Sequence, residues 1–144
     1  NFMNNASGSI TPTKRVTIEG LIRTHGITYS ASDDVMILTD VASAASATDG
    51  GLIVIKDFSS IFASTASAGT IALTNQVRVY GPNSLLGNPV DVAYDNVTKN
   101  IYVAERLNAG GQVLTFSYPI VSGDSTPVNA RAELGVTSIF VLRK

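Results

Sequence analysis

The sequence predicts an all-β chain built from repeated antiparallel four-stranded units. Three observations carry this expectation: short β-branched runs closed by turn residues, no sustained helical period, and internal repetition at a spacing of 65 residues. The first run is Val16 and Ile18, ended by Gly20. Ile27 and Tyr29 follow, then Asp33-Asp34 as a turn, then Val35-Met36-Ile37-Leu38. Leu52 to Ile55, Val77 to Tyr80, Val90 to Tyr94, Ile101 to Val103, Gln112 to Phe116 and Val136 to Leu142 complete the set. Such runs, rich in Val, Ile and Tyr and bounded by Gly, Pro, Asn and Asp, are strands joined by turns. No window of 12 or more residues keeps a 3.6-residue apolar period with caps.

The repeat is visible residue by residue. At an offset of 65, Ile27 falls on Val92, Tyr29 on Tyr94, Met36 on Ile101, Leu38 on Val103 and Asp40 on Glu105. A shortened loop then sets Gly50-Gly51-Leu52-Ile53-Val54 over Gly110-Gly111-Gln112-Val113-Leu114. Upstream, Val16 to Gly20 parallels Val77 to Gly81, and Gly135 to Phe140 reads as the first strand of a further unit. The unit is strand, turn, strand, loop, strand, longer loop, strand, which is the blade of a β-propeller. The expected organisation is a polar N-terminal arm over 1–13 and a repeat region over 14–144. Its units lie at roughly 20–80 and 81–134, with the start of another at 135–144.

The stretch Pro89-Val90-Asp91-Val92-Ala93-Tyr94-Asp95, followed by Asn100-Ile101-Tyr102-Val103-Ala104-Glu105, resembles the NHL-repeat family of β-propellers. The resemblance is close over 87–118 and looser over 24–56, where Met36-Ile37-Leu38-Thr39-Asp40 replaces the Tyr-Val-Ala core. It implies a propeller fold and a binding or scaffolding role, and brings no catalytic residue with it. The unit is longer than the ~40–50 residues usual for blades, the excess lying in residues 41–49 and 59–76.

Composition narrows the function. Ten basic and eleven acidic side chains give a net charge of −1, without the basic excess of a nucleic-acid binder. No apolar run approaches the ~20 residues of a membrane-spanning helix. The chain has no cysteine, which removes disulfides, thiolate nucleophiles and Cys-based zinc sites. Its Ser-, Thr-, Asn- and Ala-rich, weakly charged character fits an extracellular or cell-surface protein.

Four residues stand out as ligand-binding or channel-lining candidates: His25, Asp40, Asp91 and Glu105. His25, the only histidine, precedes a strand and would sit either near a central opening or in a loop bonded to backbone. Asp40 and Glu105 end matched strands, and would line a channel or form structural ion pairs through Arg23 or Arg106. Asp33-Asp34 and Asp95-Asn96 fall in matched turns, which side-chain-to-backbone bonding explains. The acids Asp33, Asp34, Asp40, Asp49, Asp91, Asp95 and Glu105 are candidate oxygen donors for a hard cation such as Ca²⁺ but lack the dense spacing of a Ca²⁺ loop, so no cofactor is expected, with Ca²⁺ as the alternative. No Gly-x-Ser-x-Gly elbow or phosphate loop is present.

Two full units and two partial ones do not close a ring of four or more blades. Blades stabilise by stacking, so both outer faces need covering by copies of the chain or by further blades. The run 14–19 reads as an outer strand lacking a partner, and 136–142 as an inner strand lacking followers. The polar arm fits a plain tail, with strand addition to a neighbouring subunit as the alternative. The expected function is non-enzymatic structural self-association or partner binding. The alternatives are part of a metal-dependent, lactonase-like propeller hydrolase, or a lectin-like sugar-binding module.

Overall fold

The computed structural model of the chain describes Gly8 and residues 11–142. Most of the arm expected over 1–13, and the last two residues of 135–144, lie outside the described residues. Among the described residues, ten strands and one α-helix follow in order: β1 (Thr17–Ile18), β2 (Thr24–Ser30), β3 (Val35–Asp40), β4 (Gly51–Ile55), α1 (Phe58–Ser64), β5 (Thr70–Ile71), β6 (Val77–Tyr80), β7 (Pro89–Asp95), β8 (Asn100–Glu105), β9 (Gln112–Ser117) and β10 (Asn129–Ala132). Two antiparallel sheets of four strands result. Sheet 1 has the order β2-β3-β4-β6 and sheet 2 the order β7-β8-β9-β10. The chain is therefore all-β with four-stranded repeats, and the sheets form no closed ring.

Strand register reproduces the 65-residue repeat. Ile27 opposes Leu38 as Val92 opposes Val103, and Thr24 opposes Asp40 as Pro89 opposes Glu105. Both hairpins break register at the same place, between Thr24 and Ile27 and between Pro89 and Asp91. Both hairpin turns pass through a left-handed residue at matched positions, Asp34 (φ 50°) and Lys99 (φ 57°). One alignment shifts by a residue. Asp40 pairs with Gly51 whereas Glu105 pairs with Gln112, so Gly51 matches Gln112 and not Gly111.

The sheets stack face to face. Val35, Ile37, Leu52, Val54 and Val79 of sheet 1 meet Val92, Ile101, Val103, Leu114 and Phe116 of sheet 2 in one buried cluster. Each such side chain contributes about 1.5–3 kcal/mol on burial. The sheet 2 residues here are the repeat equivalents of Ile27, Met36, Leu38, Ile53 and Ile55 in sheet 1, where Leu38, Ile53 and Ile55 point the other way into a second cluster. Both sheets thus present the same face in the same direction.

The second cluster is closed by parts of the chain that the strand pattern does not foretell. Residues 14–19 do not stand as an unpartnered outer strand: β1 pairs in parallel with β5. Thr17 N–H donates to Gly69 O at 2.9 Å and Glu19 N–H to Ile71 O at 3.0 Å. The helix α1 packs Phe58 and Ile61 on the same cluster, whose buried members are Leu38, Ile53, Ile55 and Ile71. Its start is capped from a distance, because Asp57 makes no side-chain cap. Asp34 instead accepts Ser59 N–H at 2.9 Å and Ser59 Oγ at 2.6 Å, which holds its carboxyl below the usual carboxylate range.

Residues 136–142 form no strand. The segment is held by Asp91, which accepts Ser138 Oγ at 3.0 Å and Ile139 N–H at 2.9 Å. The connection after β9 runs along the free edge of sheet 1. Gly123 N–H donates to Arg78 O at 2.9 Å and Tyr80 N–H donates to Gly123 O at 3.2 Å, which blunts that edge against foreign strands.

Candidate functional sites

Asp40 and Glu105 are buried, and they do the same work in their two units. Asp40 accepts Ile22 N–H at 3.0 Å, Arg23 N–H at 2.8 Å and Ala42 N–H at 3.0 Å. Glu105 accepts Gly87 N–H at 3.0 Å, Asn88 N–H at 2.8 Å and Leu107 N–H at 2.9 Å. Each donor in the second set lies 65 residues after its counterpart in the first. Tyr80 OH adds a bond to Asp40 at 3.0 Å, and Asn108 N–H one to Glu105 at 2.9 Å. A backbone bond completes the motif in each unit, Val41 N–H to Arg23 O and Arg106 N–H to Asn88 O. These carboxylates are therefore clamps, tying the loop that enters each inner strand to the end of its neighbour. The ion pairs expected through Arg23 and Arg106 are not formed, because backbone donors converge on the carboxylate oxygens and satisfy them inside the fold.

His25 and Asp91 are placed differently. His25 is exposed at the rim, where it lines a hollow of about 320 Å³ with Arg23, Ala44, Asn88, Val90, Arg106 and Thr137. Asp91 holds its own Val92 N–H at 2.9 Å besides the two donors from the C-terminal segment. Among the described residues no group of three His, Asp or Glu side chains is arranged to hold a metal ion. The four candidates thus fall into three settings: two clamps, one rim histidine and one strap for the C-terminal segment.

At the far end of the hairpins lies a cleft of about 430 Å³ between the sheets, lined by Asp33, Val35, Lys56, Asp57, Tyr94, Lys99 and Tyr118. Asp33 crosses from sheet 1 to sheet 2 here, accepting Tyr94 OH at 2.7 Å and Lys99 Nζ at 2.5 Å. Lys99 and then Tyr94 hold the Asp33 carboxyl below its ordinary range, while burial and Asp33 push Tyr94 upward. Burial first, then Asp33 and Asp57, raise the Tyr118 phenol to about 12. Of the two matched turns, Asp95 bonds its own turn through Val97 N–H and Thr98 Oγ1. Asp33 and Asp34 instead reach other elements. The sequence signal for that inter-sheet pair was an acid and a lysine in matched hairpin turns, legible only once the sheets are known to stack.

Comparison of the chain with family models, with curated proteins and with solved structures finds no match to any of them.

Proposed function

We propose that the chain is a non-enzymatic, NHL-like propeller repeat module that works by self-association, copy upon copy, at the cell surface or outside the cell. One observation carries the reading: the face by which sheet 2 receives sheet 1 is repeated on the outer side of sheet 1 and is only partly covered there. Val92, at the inter-sheet contact, is 4% exposed, whereas its equivalent Ile27 is 60% exposed. Beside Ile27, the exposed Ile22 and the side chains of Leu21, Met36, Leu38 and Phe58 line an open groove of about 490 Å³. At the other end of the stack, Phe140 and Leu142 stand exposed on the C-terminal segment. Apolar surface of this kind, repeated at both ends of a stack, favours head-to-tail contact between identical chains. The cysteine-free, hydroxyl-rich composition supports the extracellular part of the reading.

Size-exclusion chromatography with light scattering tests it. The wild-type chain is expected to run as a dimer or larger at micromolar concentration, and Ile27→Asp to run as a monomer with an unchanged circular dichroism spectrum. A wild-type chain that stays monomeric there overturns the proposal.

A further inference from the structure

The groove on the outer side of sheet 1 and the C-terminal segment complement one another. The described residues lining the groove, among them Val16 and Ile18 of β1, Ile27 of β2, and Met36 and Leu38 of β3, are all uncharged. The groove also borders a strand edge with free backbone. Thr17 and Glu19 direct their N–H groups to β5, so by strand alternation those of Val16 and Ile18 point to the opposite edge, where they bond no described residue. No residue of β5 lines the groove, which places it along that second edge.

The C-terminal segment has the matching properties. From Leu134 to Leu142 no residue is charged, and Val136, Thr137, Ile139, Phe140 and Val141 are strand formers. Exposure alternates over 138–142, with Ile139 and Val141 half-buried and Ser138, Phe140 and Leu142 exposed, as in a strand with one side turned outward. The backbone N–H groups of Phe140, Val141 and Leu142 bond no described residue. Asp91 holds the segment on sheet 2 through Ser138 and Ile139, whereas the groove lies on the side of sheet 1 turned away from sheet 2. The residues from Phe140 to Leu142 span about 10 Å, roughly the spacing of two stacked sheets. They therefore do not bring Leu142 round to the groove of the same chain.

Building on the self-association proposed above, we infer that the C-terminal segment of one copy lies in the sheet 1 groove of the next. It adds a strand along the free edge of β1, with Phe140 and Leu142 turned into the groove. In strand addition the main-chain hydrogen bonds give affinity and pockets for alternate side chains give specificity. Alternate residues of a strand stand about 7 Å apart, which makes Phe140 and Leu142 neighbouring anchors. Neither surface brings a charge to be buried without a partner. Groove and segment are different patches, so the contact is head-to-tail, and each pair keeps one groove and one segment free for further copies.

Cross-linking between marked copies tests the contact, and the absence of native cysteine makes each introduced thiol unique. Thr24→Cys, in the groove wall, and Leu142→Cys chains, one carrying a longer tag, are mixed and joined with a short bis-maleimide. Both positions are exposed, so both variants are expected to keep the wild-type circular dichroism spectrum. The mixed dimer is expected to exceed either same-variant dimer at least about fivefold, where random encounter gives about twofold. Phe140→Ser combined with Leu142→Ser should weaken association about tenfold or more in sedimentation, with the circular dichroism spectrum unchanged. Thr24→Cys dimers that outnumber the mixed ones would mean groove against groove and overturn the contact, as would a mixed dimer at the random level. If the wild type is oligomeric in either case, self-association stands and only the named contact falls. A wild type that stays monomeric removes both.

Discussion

At matched points on their inner strands, sheet 1 has Gly26 and sheet 2 has Asp91. A Cβ on Gly26 would stand 2.7 Å from Asp91 Cα and 2.8 Å from Val92 N, so β7 lies directly on the backbone of β2. Asp91 has the C-terminal segment before it, and uses its carboxylate to hold that segment. A second matched pair behaves alike. Gly51 opposes Tyr80 in sheet 1, where a Cβ would enter the tyrosine ring at 2.1 Å; Gln112 opposes Ala132 in sheet 2. Large and small have exchanged strands, with the Tyr80 hydroxyl serving the Asp40 clamp and the Gln112 amide bonding Asn108. The repeat preserves register and clamp in both sheets, while residue size follows the neighbour each face has.

The clamps offer the strongest way to break this comparison. Glu105→Ala strands the N–H groups of Gly87, Asn88, Leu107 and Asn108. At ~1 kcal/mol for each donor, buried at Gly87 and part-buried at the other three, the loss is expected to reach about 4 kcal/mol in urea unfolding. Asp40→Ala strands three N–H groups and the Tyr80 hydroxyl, but two of the N–H groups belong to the exposed Ile22 and Arg23, so water recovers part of the loss and the expected cost is about 2–3 kcal/mol. An Asp40 variant as damaging as the Glu105 one would show that water recovers nothing at the first clamp and that the two are equally buried in effect.

A smaller difference separates the inner-strand pair. Gly26→Ala meets backbone and not the tip of a flexible side chain, and should cost about 1–3 kcal/mol. Asp91→Ala loses hydrogen bonds at a part-exposed site, and should cost about 1 kcal/mol or less. Equal costs in thermal melts would mean that β7 does not press on β2 as described.

The smallest effect sharpens the contact between the sheets at their far end. Lys99 first, then Tyr94, lower the Asp33 carboxyl. A carboxyl depressed in the folded state contributes stability that is complete above its unfolded value, about 3.9, and is lost as pH falls through the folded one. The stability gap between wild type and Asp33→Asn should therefore be present at neutral pH and shrink below about pH 4. Exposure of Lys99 keeps the gap modest. A gap that stays constant down to the acid transition would remove Asp33 from the inter-sheet bonding.

Several of these features were readable in the chain itself. Alternating β-branched residues bounded by Gly and Asp specify strands, and the 65-residue spacing of Ile27/Val92, Leu38/Val103 and Asp40/Glu105 is the spacing found in the hairpin pairings. The helix α1 escaped because seven residues are too few to show a period, and β10 because Asn129–Ala132 carries no large apolar residue. The shift at Gly51 escaped because adjacent glycines invite alignment on themselves, whereas the loop lengths before β4 and β9 place Gln112 opposite Glu105.

Strand identity, turn position and the repeat were thus determined by the sequence alone, since pattern and backbone preference act over a few neighbouring residues. The partners of the carboxylates were decided only by the tertiary structure. Asp40 and Glu105 lie beside Arg23 and Arg106 in the unit and invite an ion pair, yet in the fold several backbone N–H groups converge on each. A buried carboxylate is held by whichever donors the closed loop brings to it, and that convergence exists only once the strands have paired.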